Sequence, residues 1–218
     1  MDEATLIISS KNYSSWSLRG FLLTKMSGLA FKEQIVSPDD VAAREELLLR
    51  SSSTLVPALI HDGFSIWDTL AIAEYLNELK PEAQMFPADA KARARCRSIS
   101  GEMHSGFSAL RSTLPMNIRA FRPGFTVWSS AQTDIDRILL IWRECLEIWK
   151  GPYLLGDRLS VADAMYAPVV MRFLTYDVKL EGACAAYSQR ILNWPALGEW
   201  IAAARNEVEE VSELEVEF

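Results

Sequence analysis

The sequence holds little of the residue chemistry that braces a chain covalently or through metal. Its 218 residues include three cysteines, Cys96, Cys145 and Cys184, and two histidines, His61 and His104. The cysteines are odd in number and far apart, with no CxxC pair. That excludes a disulfide framework and a zinc-ribbon spacing. Two separated histidines do not make a metal site, so no metal is expected. No run approaches about 18 apolar residues, and no basic segment leads an apolar stretch at the start. Neither a membrane span nor a secretion leader is expected. Positive charge is also short: 22 Lys and Arg stand against 29 Asp and Glu, for a net charge of −7. A nucleic-acid partner does not fit that balance. One basic run, KARARCR at 91–97, goes against it. At helical spacing it reads as a solvated face or a subunit contact. A cytoplasmic protein with reduced thiols is the expectation.

What is present is an ordinary globular composition, 50% hydrophobic and 23% charged, long enough for one large domain or two modest ones. TLIIS (5–9) reads as a short buried strand. Residues 17–27 place Leu18, Phe21, Leu22 and Met26 at helical spacing, with Gly28 as the stop. FKEQIV (31–36) alternates like a strand, and VAAREELLLR (41–50) is helical. LVPALIHDGFSIW (55–67) has the form of a hairpin turning at Asp62-Gly63. DTLAIAEYLNEL (68–79) is an amphipathic helix that starts at Asp68. The order βαβαββα makes a small sheet with helices packed on it. Beyond residue 88 helices alone are expected, over 89–113, 131–149, 161–175, 185–192 and 195–205. The stretch 79–90, with two prolines, reads as a linker, and 114–125 as an irregular loop. The acidic end from Asn206 reads as solvated. The fold class is therefore α+β, with units at 1–82 and 88–218.

Three stretches carry candidate chemistry. In SSKNYSSWSLRGFLL (9–23), five serines stand where a strand turns into a helix. Such a junction presents backbone N–H groups and a positive dipole end to an anion. Ser14 and Ser15 lie at the helix mouth, with Tyr13 and Trp16 beside them; either serine could equally be a plain N-cap. In LVPALI, Pro57 interrupts a strand pattern. It fits an edge or bulge, or a cis turn that leaves the Val56 backbone free for an extended ligand. In WDTLAI, Asp68 and Thr69 begin a helix. They are either a cap or a seat for an α-amino-acid end, the helix start and Thr69 hydroxyl taking the carboxylate and Asp68 the ammonium. A Ser–His–Asp hydrolase is not supported, because there is no GxSxG.

The Ser-rich turn, VPAL, DTLAIAEYL and an all-helical remainder occur in an order that resembles the glutathione S-transferase family over almost the whole chain. GPYLLGDRLSVADAMYAPVV (151–170) is similar to its buried G-x-x-[ST]-x-A-D segment, in which Ser160 and Asp163 would form a capping box. NYSSWSLR is most similar to serine-type bacterial members with a zeta- or omega-like motif. The turn reads Ser14-Ser15-Trp16 where the zeta pattern has S-S-C, and Asp68-Thr69 stands where the family has [EQ]-S.

The resemblance implies a thioredoxin-like domain followed by a helical one, glutathione as co-substrate, and a homodimer. It places Ser14 at the catalytic serine, with Ser15 as the neighbour that could substitute, and Tyr13 or Asn12 as further groups near the sulfur. Val56, Pro57, Asp68 and Thr69 would bind glutathione. Tyr13, Trp16, Met103, Phe107 and Arg111, with Met116 and Trp128, would flank the electrophile. It implies a glutathione transferase that stabilises the thiolate through a serine hydroxyl. The alternatives are a glutathione-dependent isomerase or peroxidase, or a non-catalytic interaction module. A thiol reductase needs a cysteine at Ser14.

Overall fold

The computed structural model describes residues 4–37 and 55–208. The helix expected over 41–50 and the end of the acidic tail lie outside the described residues. Strand β1, Ala4–Ile8, is followed by helix α1, Ser15–Ser27, and strand β2, Phe31–Ile35. Strands β3, Ala58–His61, and β4, Phe64–Trp67, form the hairpin, with Asp62 and Gly63 both at positive φ in the turn. Helix α2, Thr69–Leu79, closes this half. The sheet order is β2-β1-β3-β4, with β2 parallel to β1 and the other neighbours antiparallel. β1 is central and wholly buried, which is why it reads as a continuous apolar run rather than an alternating one. Leu6 and Ile8 face α1 and α2, while Ile7 packs with Val36 and Ala58 on the other side.

The remaining helices are α3, Ala90–Ser105; α4, Ser108–Thr113; α5, Ser129–Trp149; α6, Val161–Thr175; α7, Gly182–Leu192; and α8, Pro195–Arg205. The single helix expected over 89–113 is two. Phe107 takes a left-handed φ of 55°, and the Leu110 N–H at the start of α4 donates to Asp134 of α5 at 2.8 Å. Hydrophobic spacing runs unbroken across this corner, so periodicity alone cannot show it. The helix expected from 185 starts at Gly182.

Helix α6 is the axis of the helical layer, and the capping box is present. The Asp163 carboxylate accepts from the Ser160 N–H (2.8 Å) and hydroxyl (2.9 Å), the Leu154 N–H and the Tyr187 hydroxyl. Four donors compensate a carboxylate that has left water. The basic run lies on α3 and is engaged within the chain. Arg97 makes a two-pronged pair with Glu74 of α2, Arg95 pairs with Glu144 of α5, and Arg93 donates to the carbonyls of Pro87 and Ala88. No helix among the described residues is long and apolar enough to cross a membrane.

Candidate functional site

The loop between β1 and α1 answers part of the question raised by its serines. Two of its amides already hold an anion, and that anion is the chain's own. The Glu207 carboxylate accepts from the Lys11 N–H (3.0 Å), the Asn12 N–H (2.7 Å) and the Ser10 hydroxyl (2.8 Å). The Glu207 carbonyl accepts from Arg119 at 2.6 Å, and Trp200 of α8 donates its ring N–H to the Lys11 carbonyl at 2.8 Å. The acidic end is thus not wholly a solvated arm, because Glu207 is docked. Asn12 is buried, with its amide spent on Asn117 and the Arg119 N–H. It does not point to a sulfur site. Tyr13 is buried also, and its hydroxyl accepts from Arg119.

At the mouth of α1 the two serines differ. The Ser14 hydroxyl caps the helix: it accepts from the Ser17 N–H (3.3 Å) and donates to the Ser17 hydroxyl (2.8 Å). The Ser15 hydroxyl accepts from Arg172 of α6 at 3.2 Å. Arginine donates only, so the Ser15 proton remains available to another acceptor. Trp16, half-buried, has the Arg19 guanidinium 4.4 Å and that of Arg111 5.7 Å from its ring centre, with the His104 ring at 5.2 Å.

Three guanidinium groups converge on this turn, and none pairs with a carboxylate among the described residues. Arg19 donates to the carbonyls of Met165 and Ser15, Arg172 to those of Leu114 and Pro168, and Arg111 to that of Met103. One nitrogen of Arg19 is buried without a partner among the described residues. Burial, followed by repulsion from Arg172 and Arg111, holds Arg19 well below the usual arginine range; burial and Arg111 push Arg172 down to about 10. The turn therefore sits in a positive potential that favours an anion.

Helix α1 lies directly on the second candidate stretch. A Cβ at Gly20 would stand 2.5 Å from Pro57 Cβ, so the absence of a side chain there lets α1 meet the proline. The Val56–Pro57 bond is cis, and Val56 lies ahead of the β3 ladder, which begins at Ala58. Asp68 follows the hairpin with φ 74° and ψ 134°, an unusual backbone for a residue with a side chain. One of its carboxylate oxygens caps α2 by accepting from the Leu70 N–H at 2.8 Å, and the other pairs with His104. The Thr69 hydroxyl is buried and has no partner among the described residues.

The structure thus gathers Ser15, Trp16, Arg111, Asp68 and Thr69 along one seam between the sheet layer and the helices. Met103 is fully buried and Phe107 nearly so. They belong to the hydrophobic core and offer a substrate no open wall. Met116 is buried also, and Trp128 is exposed. Sequence reasoning missed Arg172 and His104. Arg172 had a signal, a lone cation inside the apolar helix MYAPVVMRFL. His104 had none without the contact to Asp68. Among the described residues, no group of three or more His, Cys, Asp and Glu side chains could hold a metal.

Two family models match the chain: the glutathione S-transferase N-terminal domain over residues 13–79 and its C-terminal domain over 90–203. The chain belongs to the glutathione S-transferase family. Its relatives include maleylacetoacetate isomerase of Rattus norvegicus, 33% identical over 136 residues, and glutathione S-transferase 1 of Dianthus caryophyllus, 28% identical over 171 residues. The match spans 62% of this chain and 62% of the rat protein's length, and 76% of each chain for the plant protein. A glutathione transferase homologue from Burkholderia, solved with bound glutathione, shares the fold at a TM-score of 0.73, with 23% identity over 94% of this chain and all of that one. The seam described above thus lies across the junction of the two matched family domains.

Proposed function

We propose that this chain is a glutathione transferase, with residues 1–82 seating glutathione and 88–218 supplying the electrophile side. The observation that carries the reading is the buried Thr69 hydroxyl at the start of α2, which has no partner among the described residues and stands beside the Asp68 carboxylate. A γ-glutamyl end presents a carboxylate and an ammonium side by side. Thr69 and the free amides of the first turn would take the former, and Asp68 the latter. The Val56 backbone pairs with the cysteinyl unit, which leaves the thiol at Ser14-Ser15.

A free thiol of pKa about 8.5 is only a few per cent ionised at pH 7. The α1 mouth and the arginine cluster favour the thiolate. Ser15, with its proton free, is as well placed to donate to the sulfur as Ser14. Thiolate nucleophilicity falls as its pKa falls, so ionisation is a modest part of the acceleration. Holding the electrophile in line supplies the rest, with Trp16 as its apolar surface and Arg111 orienting an anionic group. The isomerase relatives support a second reading, in which the thiolate adds to an unsaturated carboxylate and is expelled after rotation. A cytoplasmic homodimer completes the proposal, and light scattering tests the dimer.

The decisive variant is Thr69→Val. It keeps shape and removes a hydroxyl that has no other partner among the described residues, so the fold should be unaffected. Hydrogen bonds to charged groups contribute about 1.5–3 kcal/mol, so calorimetric glutathione affinity should fall about ten- to a hundredfold. Unchanged affinity would place glutathione elsewhere, and absence of binding by the wild type would move the interaction-module reading to first place.

A further inference from the structure

His104 stands outside every motif that led to the glutathione reading, yet it touches both halves of the seam. It lies near the end of α3, in the helical layer, and its Nε2 pairs with Asp68, the cap of α2 in the sheet layer. A carboxylate oxygen only accepts, so Nε2 carries the hydrogen. The centre of the same ring lies 5.2 Å from that of the Trp16 ring, with the two planes tilted at 59°. Trp16 in turn carries Arg111. A continuous chain of contacts, Asp68–His104–Trp16–Arg111, therefore runs from the end that would hold the γ-glutamyl group to the end that would hold the electrophile.

Asp68 needs such a partner. Its backbone sits at a φ of 74°, a conformation that persists in a non-glycine residue only when its surroundings determine it. Its side chain remains 40% exposed, and the capping bond to Leu70 uses only one of its two oxygens. Without His104 the second oxygen would be held by water alone. His104 is 33% exposed and lies outside the hydrophobic core.

We propose that His104 is a positioning residue of the glutathione site, fixing the Asp68 carboxylate for the ligand's ammonium through Nε2–H while its ring seats Trp16. This rests on the reading of Asp68 and Thr69 as the γ-glutamyl seat. The ammonium approaches the open side of a carboxylate whose rotation is already stopped from two directions. Binding then does not have to order that side chain.

The test separates the donor from the ring. His104→Gln keeps an N–H donor and loses the ring; His104→Phe keeps a ring against Trp16 and loses the donor. Glutathione affinity is measured by calorimetry on each, on Asp68→Ala, and on the Asp68→Ala, His104→Phe pair. The expected result is that His104→Gln binds within about threefold of the wild type, His104→Phe binds about tenfold more weakly, and the pair binds no worse than Asp68→Ala alone. A merely structural role would leave the two losses additive. Wild-type affinity in His104→Phe, or additive losses in the pair, would overturn the proposal while leaving the glutathione reading intact. Wild-type affinity in Asp68→Ala itself would instead remove the reading on which it stands.

Discussion

Replacing Gly20 by alanine tests whether the approach of α1 to Pro57 sets the site. By helix propensity the change should help, since alanine is favoured over glycine by about 1 kcal/mol in a helix interior. The packing points the other way. The new Cβ would stand 2.5 Å from Pro57 Cβ and 2.7 Å from Cγ, where ordinary contact begins at 3.4 Å. Both partners are buried, so α1 or the 55–57 segment must retreat by about 1 Å. Overpacking of this kind costs about 1–3 kcal/mol, which offsets the propensity gain and leaves a net loss of up to about 2 kcal/mol. The retreat also separates the α1 mouth from Val56. A displacement of about 1 Å in a positioned site lowers turnover by on the order of a hundredfold. Urea titration and a conjugation assay read the two effects. Gly101→Ala and Gly198→Ala are the controls. Both lie inside helices with nothing within 4 Å of the new Cβ, and both should be neutral or stabilising. A Gly20→Ala protein as stable and as active as those controls would refute the reasoning.

Two further outcomes follow from buried and docked groups. Glu207→Ala strips the acceptor from two backbone amides and one hydroxyl and should lower stability by about 1–3 kcal/mol, read by urea titration; a loss below about 0.5 kcal/mol would show that the docked carboxylate does not hold the loop. Burial pushes the Cys96 thiol up to about 12. Its folded pKa is above its unfolded value, so its contribution is complete below about pH 9 and is lost as pH rises towards 12. From pH 8 to 10 the wild type should therefore lose about 1.4 kcal/mol more than Cys96→Ala, and equal losses would contradict the shift.

The elements legible in the sequence are those whose determinants lie within a few residues of one another. Asp62-Gly63 makes the hairpin turn, Gly28 takes the left-handed stop of α1 at φ 72°, and Ser160 with Asp163 starts α6. Asp68 caps α2 through an amide two residues on. Each is a local hydrogen bond or a steric preference, and the residue type reports it directly. The serine turn was legible as a place for an anion for the same reason, because amides left unpaired at a strand-to-helix junction follow from backbone geometry.

What fills those places was decided only by the tertiary structure. Glu207 reaches Ser10 from 197 residues away, Arg172 reaches Ser15 from 157, and His104 reaches Asp68 from 36. A carboxylate in an acidic tail, an arginine in an apolar helix and a histidine at a helix end look the same in sequence whether they meet water or one another. Their partners are set by how α3, α6 and the chain after α8 pack on α1 and α2. The corner at Phe107 belongs with them, since its stabilising acceptor, Asp134, comes from another helix. Local chemistry determined the elements and the polarity of their ends; long-range packing determined which charge stands at each end.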